Sequence, residues 1–172
     1  MNPASQGRAP TFDFDAVVRA PFGGIGVRTH DGLVSELVYL PASVAPKAAA
    51  SGLAREAACQ LAGYLKNPAF AFDLPLVERG TEFQRNVWAV VRAIPCGRTL
   101  SYGDVARRIR SAPRAVGQAC GANWFPLVVP CHRVLAANGL GGFAHHDAGF
   151  HLNIKRWLLA HERVPGFANL HA

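Results

Sequence analysis

The stretch Val128-Val129-Pro130-Cys131-His132-Arg133-Val134 sets one cysteine between a proline and a histidine-arginine pair, directly after an apolar run. Cysteine reacts as thiolate, and at a reference pKa of ~8.5 only a small fraction is ionised at neutral pH unless a base or cation intervenes. His132 and Arg133 are residue types that do so, which predicts a nucleophile with a lowered pKa. Pro130 interrupts regular structure and offers no backbone donor, which suits a side chain turned out of a strand end into a pocket. Tyr102 is a second group with chemistry: a phenol of pKa near ~10 can donate a hydrogen bond to an atom that is gathering negative charge. A core tyrosine is the competing reading. Composition does not choose the base for the thiol, since His132, His145, His146, His151 and His161 are equivalent candidates.

The elements that must position these groups are readable from periodicity. Phe12 to Val18 alternates apolar and polar residues, and Asp31-Gly32 between two apolar-rich arms is a hairpin signal, so three antiparallel strands are expected by Leu40. Leu53, Ala57, Leu61 and Leu65 recur at helical spacing before the stop Asn67-Pro68. Thr81-Glu82-Phe83-Gln84 forms a capping box ahead of a helix with Phe83, Val87, Val91 and Ile94 on one face, and Ser101 with Asp104 repeats the pattern for a short helix. A turn over 110–113 leads to a helix from about Ala112 to Cys120, with Ala115, Val116, Ala119 and Cys120 inward. Arg114, Gly117, Gln118 and Gly121 face outward, one arginine on a nearly bare surface. Two short helices about a tight turn read as a helix-turn-helix or as an ordinary helical hairpin, and the bare face favours a narrow minor groove over base-edge readout in the major groove. A last helix spans Leu152 to Glu162, with Trp157 and Leu158 inward, packing over the active-site strand.

The expected class is α+β or α/β. A small N-terminal three-stranded antiparallel sheet with a helix, residues 1–78 with the connection, precedes a mainly helical part, residues 79–172, that carries the helix-turn-helix and the cysteine. The net charge of +7 is concentrated: residues 79–134 hold nine arginines against Glu82 and Asp104. A surplus beside a reactive thiol favours a polyanionic partner over a merely solvated face. Cys59, Cys96, Cys120 and Cys131 show neither zinc-ligand spacing nor a disulfide framework, so reduced thiols are expected. With no signal peptide or membrane-spanning run, the expectation is a soluble intracellular protein, cytoplasmic or, in a eukaryote, nuclear.

The heptapeptide around Cys131 resembles the active-site motif of the O6-alkylguanine-DNA alkyltransferases, also called methylated-DNA-protein-cysteine methyltransferases. The resemblance is strong over residues 80–163 and loose before them. It implies direct-reversal repair: irreversible transfer of one alkyl group from O6-alkylguanine, and from O4-alkylthymine, in double-stranded DNA to Cys131, by a monomer without metal or cofactor. It implies a ribonuclease-H-like N-terminal part. Base extraction through the minor groove is part of the same reading, because O6 is closed to attack inside the duplex. Arg114 in Arg114-Ala115-Val116-Gly117 matches the family's helix-borne arginine that fills the vacated stack, against the alternative of a phosphate contact; Ala115, Gly117, Gln118, Gly121 and Tyr102 complete the DNA-facing set. His132 becomes the base, acting through a water and oriented by Glu162, which ends Trp157-Leu158-Leu159-Ala160-His161-Glu162; Tyr102 after Ser101 becomes the donor to the leaving purine. Asn123, either the family's turn-bracing asparagine or a helix C-cap, joins Trp124, Val134, Phe143 and Ala144 around the base, the carbonyls of Cys131 and Val134 accepting from the guanine amine.

The match frays after Gly139, where Gly142 to His151 is longer than the family's Tyr-Ser-Gly-Gly-like segment and places Ala144 where a hydroxyl is usual. A structural zinc is not expected, because no cysteine precedes Cys59, and His145, His146 and Asp147 in a glycine-bearing loop are poorly preset ligands. Two other functions compete: a protein that binds alkylated DNA or regulates through its helix-turn-helix without repair, against which the retained Cys131 argues, and a cysteine hydrolase using Cys131 and His132.

Overall fold

A computed structural model of the chain describes residues 13–142 and 149–167. Strands β1 (Ala16–Ala20), β2 (Gly23–His30) and β3 (Leu33–Leu40) form an antiparallel sheet in that order. Asp31 and Gly32 both have positive φ, 48° and 75°, the backbone of a two-residue hairpin turn whose twist matches that of the strands. Helix α1 (Gly52–Lys66) is capped by Ser51, whose side chain accepts from the Ala54 N–H, and it packs on the sheet. Its inner face is Ala54, Ala57, Leu61 and Tyr64; Leu53 and Leu65 are only half-buried, so the buried stripe is rotated from the one that the leucine spacing predicts. The connection that follows adds to the sheet, since the Val34 N–H donates to the Pro75 carbonyl and the Val77 N–H to that of Val34.

Helix α2 (Glu82–Arg92) begins with the expected capping box from Thr81 and Gln84. Val87, Val91 and Ile94 are buried, but Phe83 is exposed and Trp88 takes the inward place, its Nε1 donating to the Ala119 carbonyl at 2.8 Å. Phe83 lies in the first turn, ahead of the packed surface. Helices α3 (Tyr102–Arg108), capped reciprocally by Ser101 and Asp104, and α4 (Pro113–Gly121) form the helix-turn-helix, turning at Arg110 with φ 54°. Val116, Ala119 and Cys120 are buried, Ala115 and Gly117 half-buried, and Arg114 and Gln118 exposed.

No extended active-site strand is present among the described residues. Cys131 opens a single 3₁₀ turn, Cys131–Arg133, with Pro130 at its N-cap, and only then comes the two-residue strand β5 (Val134–Leu135), parallel to β4 (Leu100–Ser101). Strands this short leave no period in a sequence. They nevertheless matter to the site, since pairing Leu100 with Val134 and Ser101 with Leu135 ties the start of α3 to the strand that follows the cysteine turn. The last helix, α5 (Phe150–His161), starts two residues before the expected position, keeps Leu158 buried and leaves Trp157 half-buried. One apolar cluster runs from Ile25 and Leu61 through Val87 and Val91 to Val134 and Leu158, so the sheet side and the helical side share a core.

The Trp88 hydrogen bond ties α2 to the helix whose C-terminal end supplies Cys120 and leads into Asn123. Trp88→Phe should lower the unfolding free energy by about 1–3 kcal/mol, because a buried carbonyl loses its donor and the core loses volume; urea unfolding of the two proteins checks this.

Candidate active site

Burial comes first in the chemistry of this site. Cys131 and His132 are 3% and 1% exposed, and Glu162, at the C-cap of α5, is 4% exposed. A carboxylate so removed from water requires compensation. Glu162 receives it from His132 Nε2 at 2.8 Å and from Arg133, whose Nε meets Oε2 at 2.9 Å and whose Nη2 meets Oε1 at 2.9 Å. Tyr64 adds a fourth bond, its hydroxyl donating to Oε1 at 2.8 Å. Burial pushes the Glu162 carboxyl up, but the hydrogen bonds and charges of His132 and Arg133 outweigh it and hold the group well below the usual carboxylate range.

An ionised carboxylate only accepts, so the proton of neutral His132 sits on Nε2 and Nδ1 keeps its lone pair. Nδ1 is buried and has no protein hydrogen-bond partner among the described residues. Burial lowers the His132 pKa, partly offset by Glu162, so at neutral pH the ring is a free base. Arg133, by contrast, is spent on Glu162 and on the Ile94 carbonyl at 2.6 Å. It is not the cation that activates the thiol.

The thiol itself is not depressed. The neighbouring Cys120 thiol and burial hold Cys131 well above the ordinary cysteine range, against smaller lowering effects of Asn123 and Lys155. The lowered pKa expected from the tripeptide Cys131-His132-Arg133 is thus overturned: sequence neighbours in a 3₁₀ turn point in different directions, and the cations near in sequence are not those near in space. At rest Cys131 is a protonated thiol, and a thiol in that state needs a base before it can attack.

Asn123 braces the turn as well as approaching the thiol. Its Nδ2 donates to the Val129 carbonyl at 2.8 Å and lies 3.4 Å from Cys131 Sγ, while its Oδ1 accepts from the Phe125 N–H at 2.9 Å. The segment it spans includes Leu127 at φ 73°, a left-handed conformation that costs a non-glycine residue free energy and persists only where neighbours enforce it. Cys131, Cys120, Gly121, Asn123 and Pro126 line a cavity of about 170 Å³ together with Glu36 to Tyr39 of β3 and His151. Trp124, expected beside them, is not in that lining: its ring is exposed and lies under the Arg79 guanidinium, 4.4 Å from the ring centroid.

Tyr102, half-buried at the start of α3, donates to the Gly142 carbonyl at 3.0 Å. The Val134 carbonyl already accepts from Lys155 Nζ at 2.7 Å, and that of Cys131 from the Val134 N–H. Lys155 was not singled out from sequence. It is fully buried in α5, its Nζ also reaching the Gly142 carbonyl at 3.0 Å, and burial brings its pKa down to about 8. Its signal was available: a lysine three residues after Leu152 and three before Leu158 sits on an apolar face. Tyr64, three residues after Leu61, was open to the same inference. Arg114 is exposed near the start of α4, with Gly117 of the same helix above Tyr102, where an added Cβ would lie 3.9 Å from the ring. Phe143 and Ala144 lie outside the described residues, as do His145, His146 and Asp147.

Comparison with known proteins gives a consistent picture. Residues 82–164 match the family model described as 6-O-methylguanine DNA methyltransferase, DNA binding domain. A methylated-DNA–protein-cysteine methyltransferase of Mycobacterium bovis is 36% identical over 160 residues, covering 89% of this chain and 94% of the relative. One from Methanosarcina mazei is 45% identical over 108 residues, 61% of this chain and 65% of that protein, so this match spans less than two thirds of the relative's length. Among solved structures, Mycobacterium tuberculosis O6-methylguanine methyltransferase superposes with a TM-score of 0.69 at 36% identity, covering 91% of this chain and 97% of that one. A crystal structure of the Mycobacterium tuberculosis protein in complex with DNA gives the same score and identity, over 91% and 98%.

The Glu162 cluster makes stability acid-sensitive. Its pKa is lower folded than unfolded (about 4.3 unfolded), so below that value the unfolded chain binds more protons and stability falls as pH falls. Glu162→Gln should cost about 3 kcal/mol at pH 7, where it leaves Arg133 unpaired, and should flatten the loss of stability below about pH 5; denaturant unfolding across pH measures both.

Proposed function

The chain belongs to the methylated-DNA–protein-cysteine methyltransferase family, and from that premise we propose that it removes the alkyl group from O6-alkylguanine, and from O4-alkylthymine, in double-stranded DNA by transferring it irreversibly to Cys131. The observation that carries this reading is the buried Glu162 and His132 pair, which leaves Nδ1 with its lone pair on the residue next in sequence to a protonated, buried thiol. His132 takes the Cys131 proton through a water, Sγ attacks the alkyl carbon, and the carbon–O6 bond breaks with its electron pair going to the purine. Tyr102 turns its hydroxyl from Gly142 to the purine ring and stabilises the leaving anion. The thioether formed has no route back, so each chain acts once.

DNA is engaged by the helix-turn-helix of α3 and α4. Small residues at 115, 117 and 121 let α4 approach the minor groove closely, Gln118 and exposed Arg85, Arg92, Arg98, Arg107, Arg108 and Arg110 supply polar and cationic contacts around it, and Arg114 occupies the space of the extracted base. Asn123 and the Val134 carbonyl face the flipped base. The working unit is a cytoplasmic monomer in which the part assigned to residues 79–172 binds DNA and accepts the alkyl group, with described residues of the part before it, from residue 13 on, sharing its core.

Incubation with duplex DNA containing O6-methylguanine should add the mass of one methyl group to the peptide carrying Cys131, once per chain, and Cys131→Ala should bind DNA but gain nothing. An unmodified Cys131 on bound DNA would make the protein a binder rather than a repair protein, and turnover of an ester would make it a hydrolase. Arg114→Ala should slow transfer from duplex DNA by about tenfold or more, with little change on free O6-methylguanine, where no stack is to be filled; equal losses on both would remove Arg114 from base extraction.

A further inference from the structure

Glu162 Oε1 accepts from His132 Nε2 at 2.8 Å, from Arg133 Nη2 at 2.9 Å and from the Tyr64 hydroxyl at 2.8 Å, whereas Oε2 accepts from Arg133 Nε. Three donors thus converge on the one oxygen that orients the imidazole. Tyr64 comes from α1, 98 residues away in sequence and on the sheet side of the molecule. We propose that Tyr64 is a positioning residue of the transfer site, its hydroxyl drawing charge from Glu162 Oε1 so that His132 stays neutral and able to accept the Cys131 proton. This rests on the alkyl-transfer reading for its consequence, though not for its physical basis.

Two electrostatic effects oppose each other here. A bare buried carboxylate against Nε2–H stabilises the imidazolium strongly, which raises the pKa of the ring and fills Nδ1 with a proton before the thiol can deliver one. Every additional donor to the same oxygen weakens that stabilisation. Arg133 serves both oxygens and carries charge of its own; Tyr64 acts on Oε1 alone, as a neutral group. The Tyr64 ring is firmly held, being 1% exposed and packed edge-on to His161 with centroids 5.4 Å apart, and its backbone carbonyl is bonded to His161 Nε2 at 2.8 Å. Burial and the Glu162 charge push the phenol well above its ordinary range, so it is protonated and able to donate around neutral pH.

Among the described residues, the groups that face this cluster are Tyr64 from α1, Tyr39 from β3, Cys96 from the turn after α2, Cys131 and Arg133 from the 3₁₀ turn itself, and Lys155 and His161 from α5, His161 packing against the Tyr64 ring. Both tyrosines and Cys96 are raised and Lys155 titrates near 8, so the charge on His132 has to be followed at its own resonance, apart from that of His161.

The test uses the full chain. Histidine resonances of wild type and Tyr64→Phe are titrated by NMR, and transfer rates from O6-methylguanine duplexes are measured over the same pH range. The expected result is a His132 pKa raised by about one unit, an acid limb of the rate profile displaced by the same amount, and a high-pH plateau within about twofold of wild type, one unit being a tenfold change in the deprotonated fraction. An unchanged His132 pKa with a lowered plateau would make Tyr64 a packing residue only. Replacement of Tyr64 by 3-fluorotyrosine, which keeps the ring and donates more strongly, should move the His132 pKa the other way, and no movement there would overturn the proposal even if Tyr64→Phe folds poorly. A protein that transfers no alkyl group defeats the alkyl-transfer reading but leaves the NMR titration to decide the role of Tyr64.

Discussion

A single carboxylate taken out of water organises this protein. Glu162 has no solvent to stabilise its charge, so the fold must bring donors to it, and the cluster draws on three separate parts of the chain: Tyr64 from α1, His132 and Arg133 from the 3₁₀ turn, with Glu162 itself closing α5. Arg133 extends the arrangement to the residues just past α2 through the Ile94 carbonyl. Removing any one donor leaves charge or polarity uncompensated in a low-dielectric interior, which costs more than a surface pair ever returns. The cluster therefore both staples the sheet side to the helical side and sets the state of the imidazole.

The consequences reach the nucleophile. A permanently ionised thiolate would be reactive towards any electrophile that enters, whereas a thiol held protonated by Cys120 and burial is idle until a base is ready and an alkyl carbon is in place. In the proposed transfer His132 is that base, because Glu162 fixes its proton on Nε2. Lys155, clamped to the carbonyls of Val134 and Gly142, places a positive charge near the same thiol and works against that elevation. For the single-use transfer proposed above, reactivity confined to the loaded site matters more than rate.

Much of this was legible in the residues. The hairpin at Asp31-Gly32, both capping boxes and the helix-turn-helix followed from local backbone and capping chemistry, which acts within a few residues. What escaped was set by contacts distant in sequence. Trp88 rather than Phe83 packs inward because α4 offers the Ala119 carbonyl; Arg133 ignores its neighbour Cys131 because Glu162 lies nearer in space; Trp124 turns to Arg79 instead of the cavity. The pair β4 and β5 is too short to leave a periodic trace, and Tyr64 and Lys155 look like ordinary helix residues until the partners of their polar ends are seen. The roles of His132 and Glu162 come from resemblance alone; what the structure adds is that the two side chains meet at 2.8 Å.

Alkyl transfer by this route depends on the protonation of one ring. A nitrogen-15 spectrum of the histidine-labelled protein at neutral pH reads it directly: His132 should be neutral, with hydrogen on Nε2 and a pyridine-type Nδ1. A protonated Nδ1, whether in the opposite tautomer or in an imidazolium, would leave Cys131 without its base and contradict the mechanism.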